Sequence, residues 1–138
     1  MPTVEEVMTR GVIFIDENAT VAEAMRIMTE RHVSCLIVRR KDERDVDGIV
    51  TRKDIINKSI AVGDDPSVVK VGSIMTKPLM TVNKNMDVMH VARLMARTCV
   101  RRFPVRECNQ IIGILSNSDI FRAYSFDNVI KEKTKVKK

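Results

Sequence analysis

The feature that most constrains this chain is an internal duplication. When Val7-Met8-Thr9-Arg10 is set over Ile74-Met75-Thr76-Lys77, an offset of 67 residues also carries Asn18 onto Asn85, Val21 onto Val88, Arg26 onto Arg93 and Met28 onto Met95. It holds as far as Val38-Arg39, which falls on Val105-Arg106. Past the charged loop Arg40–Asp47 the offset becomes 65, and Gly48-Ile49, Thr51 and Asp54-Ile55 meet Gly113-Ile114, Ser116 and Asp119-Ile120. The length difference falls in a polar turn, where insertions cost least. A unit of this size buries too little apolar surface to be secure alone, so two copies sharing a core are predicted.

Each copy reads as strand, helix, strand, strand, helix, an α/β (α+β) unit. Val12–Ile15 and Leu79–Val82 are short apolar runs that predict the first strands. Thr20-Val-Ala-Glu23 has the spacing of a capping box, and Val21, Ala24, Met25 and Met28 then recur at helical intervals. In the second copy Asp87 takes the cap, and Val88, Val91, Ala92 and Met95 continue the same face. These methionines read as core filling rather than a metal or cofactor box. Cys35–Val38 and Phe103–Val105 predict the second strands, Val46–Val50 and Gln110–Leu115 the third. Closing helices are expected near Arg52–Ala61 and Asn117–Ser125.

Composition removes several function classes. The hydrophobic fraction is 44%, ordinary for a folded domain, and no apolar run is long enough to span a membrane. The opening is acidic where a secretory signal would be basic, so a soluble, intracellular and cytoplasmic protein is expected. Cys35, Cys99 and Cys108 have no CxxC spacing, and Cys35 and Cys99 read as small core hydrophobes. The net charge is +6, and four of those charges come from the segment Lys131–Lys138, so the body is no strongly basic platform. With aromatics at 4%, base stacking on nucleic acid has little to work with; Tyr124 and Phe126, in the last helix, are more simply used in dimer packing. His32 and His90 fall in matching helical regions of the two copies and read as structural or exposed. No catalytic motif or metal-ligand spacing is visible, so catalytic and metal residues are expected to be none. Arg39–Asp45 reads as a solvated loop with interleaved charges.

The same phrase closes both copies: Gly48-Ile-Val-Thr51-Arg-Lys-Asp54 and Gly113-Ile-Leu-Ser116-Asn-Ser-Asp119. A hydroxyl with a carboxylate three residues on, at a strand-to-helix junction, is a helix cap, and the fold alone can require it. The same groups can receive phosphate or ribose oxygens, with the carboxylate accepting from ribose hydroxyls. Spacing leaves both uses open.

The Met-Thr opening, the capped amphipathic helix, the Arg-Arg-Phe-Pro-Val strand and the Gly-x-x-Thr/Ser-x-x-Asp closing, twice over, resemble a tandem pair of CBS (cystathionine beta-synthase) domains, or Bateman module. The resemblance covers roughly residues 3–125. It implies two β-α-β-β-α repeats packed sheet to sheet with pseudo-twofold symmetry. Repeat 1 would occupy residues 1–61, a linker 62–70, repeat 2 residues 71–126, and a basic tail 127–138. It further implies a regulatory, non-enzymatic module that binds adenosine-containing ligands in clefts between the repeats. In one cleft, Ser116, Ser118 and Asp119 would hold ribose and phosphate beside Ile114. Thr9, Val12 and Ile13 would line the adenine, with Val33 and Ser34 at its edge. The other cleft would join Ile49, Thr51, Lys53 and Asp54 with Thr76, Pro78, Leu79, Met80 and Val100. Arg101 and Arg102 stand where the family faces phosphates, a task suited to the guanidinium fork.

The first copy departs from the pattern. Gly11 replaces the proline found as Pro78, Ile37 replaces Pro104, and Ser34-Cys35 replaces the basic pair, so phosphate grip is expected to be asymmetric. No cofactor is required; an adenine nucleotide or other adenosyl compound is the expected regulatory ligand. The expected partners are that small molecule, a second copy in a homodimer, and an effector protein that reads the output. A nucleic-acid or protein adaptor using basic surface residues is the competing class, separable by the steep salt dependence of backbone binding.

Overall fold

The computed structural model describes residues 2–125. Phe126 and the lysine-rich segment lie outside the described residues. The first copy runs through a short helix α1 (Val4–Val7), strand β1 (Phe14–Ile15), helix α2 (Val21–Arg31), strands β2 (Cys35–Val38) and β3 (Gly48–Thr51), and helix α3 (Arg52–Ile55). A π-helical turn, Ile56–Ile60, prolongs α3. A 3-10 turn (Val71–Ser73) opens the second copy, followed by β4 (Val82–Asn83), α4 (Val88–Thr98), β5 (Arg102–Glu107), β6 (Gln110–Ser116) and α5 (Asn117–Ala123). The two three-stranded sheets have the orders β1-β2-β3 and β4-β5-β6, each with one parallel and one antiparallel pairing. No helix among the described residues is long and apolar enough to cross a membrane.

The local signals explain the elements. Thr20 caps α2 by accepting from the Glu23 N–H at 3.1 Å, and Asp87 caps α4 by accepting from the Met89 N–H at 2.9 Å. The expected box at Thr20 is half formed: Thr20 accepts from the Glu23 N–H, and the exposed Glu23 carboxylate lies 3.9 Å from Arg26, which is itself bonded to Glu30 at 3.0 Å. Both helices end on a left-handed residue, His32 (φ 54°) and Cys99 (φ 60°), whose N–H groups bond Met28 and Met95 carbonyls. This corrects the placement of Cys99 in the core: at the helix terminus it is exposed, as is Cys108, and only Cys35 is buried. His32 and His90 are exposed.

The first strands are shorter than the apolar runs that predict them. Phe14 and Ile15 pair with Ile37 and Val38 at the far end of β2, and the strand does not reach back to Val12 and Ile13, although the Ile13 C=O still accepts from the Ile37 N–H at 2.9 Å. The third strand of copy one likewise begins at Gly48, leaving Val46 exposed. Pro104 is tolerated inside β5 because its partner Ile114 bonds Thr9 with both its N–H and its C=O. The β4 ladder starts only at Val105, so no pairing asks Pro104 for a donor.

The chain divides into two compact units that do not follow the sequence repeats. One holds the segment from Met80 onward together with the opening up to Gly11; the other is Val12–Leu79. In the first, Val4 and Met8 join Val82, Val91, Met95, Phe103, Val105 and Leu115 in one core. In the second, Val71 and Ile74 join Ile15, Val21, Ala24, Met28, Leu36, Val38, Val50 and Ile55. Each repeat thus lends its opening segment to the unit built on the other repeat's sheet. Fully burying a Val or Met side chain contributes about 1.5–3 kcal/mol, so these short segments are firmly held. Met28 and Met95 are core, as their periodicity predicts, and Met25 packs half-buried against the same core as Met28.

Candidate functional site

The two closing phrases sit where β3 runs into α3 and β6 into α5. A helix start exposes unpaired N–H groups, and at both junctions a reciprocal capping box meets them. Thr51 Oγ1 accepts from the Asp54 N–H at 3.1 Å, while Asp54 Oδ2 accepts from the Thr51 N–H and from its hydroxyl, each at 3.0 Å. Ser116 Oγ accepts from the Asp119 N–H at 3.1 Å, and Asp119 Oδ2 accepts from the Ser116 N–H at 3.0 Å. The residues just before β2 and β5 complete the caps through their backbone. Ser34 C=O accepts the first N–H of α3 at 3.0 Å, and Arg101 C=O that of α5 at 2.8 Å.

The opening Met-Thr phrases reach these junctions from the sheet edge. Thr9 exchanges both backbone bonds with Ile114 at 2.9 Å, and Thr76 does so with Ile49 at 2.9 and 2.8 Å. Such an approach requires glycine on the strand. A Cβ at Gly113 would lie 2.6 Å from Met8 Sδ and 3.0 Å from the Thr9 carbonyl oxygen; one at Gly48 would lie 3.0 Å from Met75 Sδ and from the Thr76 carbonyl oxygen. Here the two junctions diverge. The Thr9 hydroxyl donates to Asp119 Oδ1 at 3.0 Å. At Asp54, Oδ1 is instead held by the Lys58 ammonium at 3.2 Å, which also donates to the Ile74 carbonyl at 3.2 Å. Arg122 lies 3.6 Å from Asp119 Oδ1, an ion pair beyond hydrogen-bond length for a guanidinium.

The structure thus brings Thr9, Ile114, Ser116, Ser118 and Asp119 into one unit, with Met80, Val100, Arg101 and Arg102 on the same unit. Ile49, Thr51, Lys53, Asp54, Thr76, Pro78 and Leu79 belong to the other, as do Val12, Ile13, Val33 and Ser34. Lys77-Pro78 is a cis peptide. The expected solvated loop is exposed along Arg39–Arg44, and its far end is tied down. Asp45 pairs with Lys77, and Asp47 Oδ1 accepts from the Arg40 N–H. The hydrogen bond from the Lys77 ammonium, helped by the Lys41 N–H, lowers the Asp45 carboxyl from 3.8 to about 2. Lys58 and Arg122 were missed by the sequence reading. A cation three or four residues after a helical carboxylate is the signal that could have found them. Among the described residues, no three His, Cys, Asp or Glu side chains gather in a metal-binding group.

Comparison with known proteins agrees with this geometry. Residues 4–61 and 71–125 each match the CBS domain. The chain is 41% identical to the hexameric CBS-CP12 protein from bloom-forming cyanobacteria, with a TM-score of 0.85 over 96% of this chain and 75% of that one. It is 30% identical to hypoxic response protein 1 of Mycobacterium tuberculosis over 122 residues, 88% of this chain and 85% of that protein. The CBS-domain pair of protein MJ0100, solved with 5′-methylthioadenosine and S-adenosyl-L-methionine, is 25% identical, with a TM-score of 0.77 over 90% of this chain and 96% of that one. Two matched repeats, two like sheets and two boxed carboxylates have one explanation: the chain belongs to the CBS-domain family and is a tandem pair of its domains.

Proposed function

We propose that this CBS pair is a cytoplasmic regulatory sensor for an adenosine-containing compound, either AMP, ADP or ATP or a molecule like S-adenosylmethionine. CBS-domain pairs are regulatory modules, and the relative solved with two adenosyl compounds supports ligand binding of this kind. The observation that carries the reading is the Asp119 carboxylate. It is buried, oriented by the Ser116 N–H on one oxygen and by the Thr9 hydroxyl on the other, and set at a helix start. A fixed acceptor there suits ribose hydroxyls, and the helix N-terminus suits phosphate. Thr9 serves the adenine, Ser116 and Ser118 the sugar and phosphate, and Arg101 and Arg102 the phosphates.

The output passes through packing of a homodimer to a protein partner. Supporting self-association, Ile56 and Ile60 are half exposed beside a groove of about 530 Å³ lined by Met25, Met28 and Ile55, and Phe121 is 74% exposed on the other unit. The ligand acts only through unequal affinity for two packing states.

Calorimetric titration of nucleotide-free protein with AMP, ATP and S-adenosylmethionine tests this. At least one compound should bind, with affinity that depends weakly on salt and falls tenfold or more in Asp119→Ala. Affinity unchanged in both Asp119→Ala and Asp54→Ala refutes the site. Absence of any adenosyl binding, with retention of nucleic acid that weakens steeply with salt, moves the adaptor reading ahead.

A further inference from the structure

We propose that Lys58 is an internal plug that closes the Asp54 position to a ribose diol, leaving Asp119 as the position that binds. This rests on the adenosyl reading above and assigns that ligand to one of the two positions. A carboxylate offers about four lone-pair sites. On Asp54, the Thr51 N–H and hydroxyl both occupy Oδ2, and the Lys58 ammonium takes one site of Oδ1. On Asp119, one neutral donor occupies each oxygen, the Ser116 N–H on Oδ2 and the Thr9 hydroxyl on Oδ1. A vicinal diol presents two donors in a fixed fork. Asp119 retains a free acceptor on each oxygen to meet them; Asp54 retains one, on the oxygen that already carries the cation.

The two positions also differ in what a ligand must displace. The Thr9 hydroxyl is neutral, can rotate, and can accept from an incoming hydroxyl while it donates to Asp119. Lys58 is charged and tethered twice, to Asp54 Oδ1 and to the Ile74 carbonyl, so removing it breaks a charge-assisted bond and strands a backbone acceptor. Arg122 is no equivalent plug. Both cations are exposed, Arg122 at 64% and Lys58 at 48%, but Arg122 stands 3.6 Å from Asp119, beyond hydrogen-bond length, whereas Lys58 stands 3.2 Å from Asp54 and is bonded to the Ile74 carbonyl as well. The residue aligned with Lys58 in the second copy is Ala123, which carries no charge. Asp119 is also the deeper carboxylate, with 6% of its side chain exposed against 13% for Asp54, so its open acceptors gain more from a partner.

Calorimetric stoichiometry with AMP, 5′-methylthioadenosine and S-adenosylmethionine as probes tests the plug. The wild type is expected to bind one equivalent per chain, lost in Asp119→Ala and retained in Asp54→Ala. Lys58→Met is expected to bind two, returning to one in Lys58→Met combined with Asp54→Ala. Lys58→Gln, likewise uncharged, is the second variant should Lys58→Met fold poorly, with the same gain expected. Two equivalents in the wild type, loss of its binding in Asp54→Ala, or one equivalent in both folded Lys58 variants overturns the plug while the adenosyl reading stands. No binding of any probe to any variant overturns both.

Discussion

Adding a single methyl group at Gly113 tests whether the Met-Thr opening is held against β6 as closely as the structure requires. The new Cβ would stand 2.6 Å from Met8 Sδ, 3.2 Å from Met8 Cγ and 3.0 Å from the Thr9 carbonyl oxygen. Non-bonded carbon contacts are optimal near 3.5–4.0 Å, so something must move. The Met8 side chain could swing away, but it is core, 9% exposed, and the second contact is backbone that no rotamer relieves. Thr9 must then retreat from Ile114, straining two hydrogen bonds of 2.9 Å. Overpacking typically costs about 1–3 kcal/mol, and each weakened bond about 0.5–1.5 kcal/mol. We expect Gly113→Ala to destabilise by about 2–3 kcal/mol, which lowers the urea midpoint by roughly 1 M at a slope near 2 kcal/mol/M. The same retreat draws the Thr9 hydroxyl from Asp119, so adenosyl affinity should fall with stability. Gly48→Ala, whose tightest contacts are 3.0 Å, should cost less. Urea unfolding followed by circular dichroism decides the matter. A Gly113→Ala unfolding free energy within about 0.5 kcal/mol of wild type, the range of ordinary surface substitutions, would refute the reasoning.

Three further outcomes are expected. Phe103 heads the fully buried side chains, so Phe103→Ala should cost about 3–5 kcal/mol in the same unfolding assay. Ser116→Ala and Thr51→Ala each remove a cap acceptor and should each cost about 1 kcal/mol, by the same denaturant titration. Asp45 has a folded pKa of about 2 against 3.8 for the free group, so its contribution is present above about pH 4 and is lost as pH falls towards 2. Asp45→Asn should therefore flatten the dependence of thermal midpoint on pH between 4 and 2, and an unchanged slope there would show that the Lys77 pair contributes nothing.

Much of this protein was written locally. The duplication placed two like units, the 3.6-residue spacing of Val21, Ala24 and Met28 marked the buried face of α2, and Thr51 with Asp54 announced a helix start. Such signals depend on residues within a turn or two of one another, so a sequence carries them openly. The box expected at Thr20 formed only in part: Thr20 accepts from the Glu23 N–H, and spacing alone does not fix where an exposed carboxylate turns. Cys99 was misplaced because its apolar neighbours say nothing of a left-handed terminus that turns the side chain outward.

What the sequence by itself determined is the repeat, its order of strands and helices, and which groups cap the two closing helices. Only the tertiary structure decided where the opening segments go. Met8 and Thr9 lie against Gly113 and Ile114, across most of the chain, and Ile74 enters the core that begins at Ile15. It also decided that Thr9 completes one carboxylate while Lys58 occupies the other. The physical reason is that backbone periodicity is set by near neighbours, whereas burial and side-chain partners are set by whichever surfaces exclude water together.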